Sequence, residues 1–84
     1  MNINDLLKSG KLLVGDQLIW NRRSLKVVHK ATIGETGDIR LDDGRKFKTV
    51  SGAARALNNG RPVDGWIAWK LVRTGHSIGE LRKK

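Results

Sequence analysis

The 84 residues predict a small α+β fold: an antiparallel meander sheet of about four to five strands with three short helices, one central helix packed on the sheet. Three observations carry this. Apolar residues recur at helical spacing near the N-terminus and switch to strand-like runs from Gln17 onward. Turn signals punctuate the middle closely, at Gly15-Asp16, at "GETGD" (34–38) and at Asp43-Gly44. No internal repeat, low-complexity stretch or linker interrupts the chain, so residues 1–84 read as one domain.

The elements follow in order. In "INDLLKSG", Ile3, Leu6 and Leu7 share one helical face, Asn2 or Asn4 can cap the start, and Gly10 can end the helix in a left-handed turn. "QLIWN" and "SLKVVHKATI" read as two strands broken by polar "NRRS". In the second, Leu25, Val27, His29, Ala31 and Ile33 fall on one face, and Lys26, Val28, Lys30 and Thr32 on the other. "IRL" is a short third strand, and the Asp-Gly of "DDGR" turns it into a fourth, "KFKTV". "SGAARALNNG" reads as the central helix, with Ser51 as N-cap and Ala53, Ala54, Ala56 and Leu57 as its apolar stripe. "WIAWKLV" favours a strand because it carries Ile, Val and two Trp. Ile67, Trp69 and Leu71 then form an apolar core face, and Trp66, Ala68, Lys70 and Val72 a mixed one. Trp69 belongs to the core. Trp66 either joins it or lies at the rim of a binding surface. "SIGELRKK" closes as a short basic helix capped by Ser77.

Composition narrows the function. With no Cys, disulfides and thiolate metal sites are excluded. No apolar run approaches the roughly 20 residues of a membrane span, and the N-terminus lacks the pattern of a signal peptide, so a cytoplasmic protein without membrane contact is expected. The formal net charge is +9, and it is unevenly spread. Residues 1–44 hold seven Lys/Arg against six Asp/Glu, whereas residues 45–84 hold ten against two. Such a surplus points to a polyanionic partner.

An enzyme is not expected. None of the eight Asp/Glu has a lysine two residues downstream, so the metal-nuclease pair (D/E)-x-K is missing. His29 and His76 lack metal-ligand spacing, no phosphate-binding loop ending in Lys-Ser/Thr is present, and no cofactor is implied. Both histidines read as structural.

In their order, "GKLLVGDQL", "KATIGETGDIRLDDGRKFKTVSGAARAL", "DGWIAWKL" and "ELRK" resemble the RAMA domain, the restriction enzyme and adenine methylase associated domain, from about Leu6 to Arg82. The most specific parts are DG-x-x-F-x-(T/S)-x-S-x-AA and GW-x-x-W. The resemblance implies an accessory DNA-binding role, linked to restriction-modification or to recognition of adenine methylation, with a methyltransferase or restriction enzyme as a partner in trans. It also implies a binding surface at the Ser/Thr before the central helix and at the Trp after the glycine, here Thr49, Ser51 and Trp66. Asp64-Gly65 stands where the family pattern has Asn-Gly, which adds a negative charge there.

Chemistry extends that surface. A helix N-terminus suits a phosphate, and Thr49 and Ser51 hydroxyls add donors. Lys46 and Lys48 share a strand face, with Thr49 opposite unless the chain turns first. Arg55 lies one helical turn beyond Ser51, and Arg61, Lys70 and Arg73 extend the strip. Trp66 can stack on a base or press on a sugar. Phosphate contacts hold position without reading sequence; six of them would weaken binding about 1000-fold between 50 and 200 mM salt. A reading from another class competes: a Trp-edged basic patch can dock an acidic protein, with no nucleic-acid role.

Overall fold

A computed structural model describes residues 3–82. Helix α1 (Ile3–Lys8) is followed by strands β1 (Gln17–Arg22), β2 (Val27–Ile33), β3 (Ile39–Leu41) and β4 (Lys46–Phe47). Helices α2 (Val50–Leu57) and α3 (Gly65–Ala68), strand β5 (Lys70–Leu71) and helix α4 (Ile78–Leu81) complete the chain. The five strands form one antiparallel sheet in the order β4-β3-β2-β1-β5. β1 to β4 are the expected meander. β5 returns after two helices to pair with β1 at the other edge.

One face of the sheet is apolar. Leu18 pairs with Ala31 and with Leu71, Ala31 with Leu41, and Ile33 with Ile39. All six are buried, and α1, Leu12, α2, Trp69 and Ile78 of α4 supply the rest of the same core. Burying these aliphatic side chains contributes about 1.5–3 kcal/mol each, so a domain with so few large residues depends on every one. The opposite face carries the alternate residues, which are exposed or half-buried, and Ala68 of α3 borders it beside Lys70.

Several expectations are corrected. β4 is two residues long, because the chain bends at Lys48 and Val50 already belongs to α2. Thr49, not Ser51, is the N-cap: it is extended (φ −135°, ψ 154°), and its Oγ1 accepts the Gly52 N–H at 2.9 Å. "WIAWKLV" is not one strand. The Asp64 carboxylate accepts the Trp66 N–H at 3.0 Å and starts a helical turn, α3, leaving only Lys70–Leu71 extended. Local capping thus overrides the β preference of Ile and Trp. As a result Ile67 is 71% exposed rather than in the core, whereas Trp69 and Leu71 are buried as expected. Arg23–Leu25 is a 3₁₀ turn, so Leu25 lies outside the strand and is exposed. On the face assigned to the core, Ala31 and Ile33 are buried, His29 is half-buried and Val27 is exposed, because the β1–β2 hairpin runs past the core.

α1 ends as expected, with Gly10 at φ +79°. Asn4 is inside that helix rather than at its cap; α4 ends at Leu81, and Asn2 and the two lysines that close the expected C-terminal helix lie outside the described residues. Ser77 stands at the N-cap of α4, but its hydroxyl makes no capping bond.

Candidate nucleic-acid interface

The first turn of α2 is fixed from three directions. Thr49 Oγ1 accepts from Gly52, Ser51 Oγ accepts the Gly65 N–H at 3.1 Å, and the Val50 carbonyl accepts the Trp69 Nε1–H at 3.1 Å. The third bond joins a residue nineteen positions away and satisfies an indole with no access to water. Gly65 is at this junction because nothing larger fits: a Cβ there would run into the backbone of Val50 and Ser51.

These bonds leave a particular chemistry outward. A hydroxyl has one proton to donate and two lone pairs to accept with. In Thr49 and Ser51 a lone pair is engaged by a backbone N–H, while the O–H proton stays available to an acceptor. Both residues line an open groove with Gly52, Arg55, Pro62 and Val63. Arg55 donates its Nε–H to the Gly60 carbonyl at 2.8 Å, which anchors the guanidinium and leaves its terminal N–H groups unengaged. Arg61 is exposed beside Pro62, where Asn59 (φ +56°) and Gly60 (φ +82°) reverse the chain after α2. Lys48 is exposed just before Thr49.

Trp66 follows Gly65 and is half-buried against the core. Its remaining ring surface is not bare: the Arg82 guanidinium stacks over it at 4.0 Å. The indole holds a cation in place at the edge of α3.

Donors, a helix N-terminus and arginines around one groove suit an anion. A family model described as Restriction Enzyme Adenine Methylase Associated, RAMA, matches residues 1–84. The chain belongs to the RAMA family. No curated protein and no solved structure matches it. The family description is that of an associated module and names no catalytic activity.

In this RAMA chain the sequence-derived residues do not form one strip. Thr49, Ser51 and Arg55 meet at the groove, with Arg61 and Lys48 flanking it. Lys46 and Lys70 alternate with the inward residues Phe47 and Leu71, so they lie on the opposite, uncovered face of the sheet. Arg73 is held elsewhere, by a two-point ion pair with Asp16 (3.0 and 3.1 Å). That guanidinium, together with the Leu13 N–H, holds the Asp16 carboxyl below the usual carboxylate range. Arg73 thereby closes the N-terminal segment onto the chain after β5.

Two cations escaped the sequence reading. Lys30 is opposite Ile19 in the register, as Lys70 is, and so shares the outer face. Strand alternation had placed Lys30 on that face; the low net charge of residues 1–44 concealed it. Arg82 had no local signal, because its contact with Trp66 depends on how α3 and α4 pack.

Proposed function

We propose that this RAMA chain binds duplex DNA at the groove beside the first turn of α2, as an accessory to a restriction or adenine-methylation enzyme. The observation that carries the reading is the pair of hydroxyls, Thr49 and Ser51, whose acceptor side is engaged internally and whose donor side lies in a groove shared with Arg55. A phosphate accepts hydrogen bonds and carries negative charge, so it suits O–H donors, a helix N-terminus and a guanidinium together.

In this reading Lys48, Arg55 and Arg61 hold the backbone, and Arg82, held 4.0 Å over the Trp66 ring, adds a further charge. An arginine so placed also reaches a guanine edge. Methylated adenine is the base modification the family description suggests.

The test is a titration with matched duplexes, one unmethylated and one carrying N6-methyladenine, at 50 mM salt and micromolar protein. Binding of both is expected, and a difference between them assigns methylation recognition to this surface. No binding of either duplex, with retention of an acidic polypeptide such as poly-glutamate, supports the acidic-protein reading instead.

A further inference from the structure

We propose that the uncovered face of the sheet is a second phosphate-binding surface, separate from the α2 groove, on which Lys30, Lys46 and Lys70 grip a duplex backbone. The proposal rests on the nucleic-acid reading above but assigns a different set of residues. Register and burial place the three lysines. Leu18, Ala31, Phe47 and Leu71 point into the core, so their neighbours Ile19, Lys30, Lys46 and Lys70 point outward. Ile19 is directly opposite both Lys30 and Lys70, which puts these lysines on either side of one residue. Lys46 is opposite Arg40, which is opposite Thr32.

Charge decides what fits there. Among the described residues, Lys30, Lys46 and Lys70 enter none of the four ion pairs, which join Arg40 to Asp38, Arg45 to Asp43, Arg73 to Asp16 and His76 to Glu80. Arg23, which shares a shallow groove with Lys70, Ile19 and Asn21, is likewise outside them. Beside these four unneutralised cations stand two carboxylates near Lys30, Asp42 and Asp43, and Asp43 is already paired with Arg45. The face also exposes Val28 and Val72, but its lysines outnumber them and it carries no aromatic ring among the described residues, whereas the centres of protein interfaces are depleted of lysine and enriched in aromatic groups. The face is good material for phosphates, which lysine meets as a flexible point charge.

Spacing agrees. Strands lie about 4.8 Å apart, so Lys70 and Lys30, two strands apart, are roughly 10 Å from each other. Lys30 and Lys46, two strands apart and offset by two residues, are roughly 12 Å apart. The major groove of B-DNA is about 12 Å wide, so neighbouring lysines can hold phosphates on its two rims. α2 packs on the other side of the sheet through Val50 and Ala53, so the groove and this face are built from different residues of different elements.

The experiment compares wild type, K30A/K46A/K70A and R55A/R61A by fluorescence anisotropy with a short labelled duplex between 50 and 200 mM salt. All five side chains are exposed, and thermal unfolding checks that each variant stays folded. Each phosphate neutralised adds about 0.9 to the log–log salt slope. The triple variant should therefore lose about 2.7 of slope, so its deficit against wild type is about 40-fold larger at 50 mM than at 200 mM. A folded triple variant with the wild-type slope overturns the proposal. Loss of slope in the triple variant with none in R55A/R61A supports this surface and overturns the groove. A wild type that binds no duplex overturns both, and retention of poly-glutamate through the same three lysines then assigns the face to an acidic protein.

Discussion

Trp69 shows how one residue can join two parts of a chain. Its ring is fully buried and meets Trp20 edge-on at 5.9 Å, while its N–H holds the Val50 carbonyl at the start of α2. Trp69→Phe keeps most of the apolar bulk but removes one of the two donors to that carbonyl, the other being the helical N–H of Ala54. The expected loss is about 0.5–1.5 kcal/mol for the lost hydrogen bond, measured by urea unfolding, and a small domain like this one should melt several degrees lower. His29 makes a different prediction. Burial first, then the nearby Arg22 charge, holds its imidazole below the ordinary histidine range, and its Nε2 has no hydrogen-bond partner among the described residues. The folded state therefore keeps His29 neutral where the unfolded chain takes up a proton, below about pH 6.5. Stability should fall as pH drops through that range. In His29→Phe this part of the slope disappears, as the difference in melting temperature between about pH 7 and pH 5 will show. A melting profile identical in the variant would contradict the assignment. Burial of Trp69 was legible in the sequence, since it alternates with apolar neighbours. The role of Ser51 was not: two hydroxyl residues sit where a cap belongs, and what separates them is a Gly65 N–H arriving from fourteen residues downstream.

At the scale of elements, the meander was legible because its turns are written locally. Asp43-Gly44 stands where β3 turns into β4 and Gly15-Asp16 where the chain enters β1, and the Asp43 and Asp16 carboxylates accept backbone N–H groups within those turns. α3 was not legible from the same kind of evidence. The residues of "WIAWKLV" prefer strands, and only the pairing of an Asp cap with a glycine that must touch α2 makes them helical. That glycine gives the sharpest prediction for the fold. In Gly65→Ala the new methyl meets backbone, which cannot move aside as a flexible side chain can. The first turn of α2 and α3 must separate, at a cost of about 1–3 kcal/mol or more in denaturant unfolding. The Ser51–Gly65 bond should be lost with it, so the same variant should weaken any ligand held at the groove. Unchanged stability in Gly65→Ala would mean that α2 and α3 do not meet as described.

For the whole molecule, the charge surplus was legible, but its placement was not. The sequence suggested one strip of Lys46, Lys48, Arg55, Arg61, Lys70 and Arg73, and the fold divides these among the α2 groove and its flanks, the outer sheet face and the Asp16–Arg73 closure. A count along the chain cannot see this, because sheet alternation sends Lys46 and Lys70 to one side while α2 carries Arg55 to the other. No helix among the described residues is long and apolar enough to cross a membrane. The groove remains the centre of the account, since it combines hydroxyl donors, the N-terminus of an eight-residue helix and an anchored arginine. The most direct measurement is the salt dependence of duplex binding by R55A/R61A beside wild type. The account predicts a folded variant whose log–log slope is shallower by about 1.8, with weaker binding at low salt. A folded variant with the slope and affinity of wild type would contradict it.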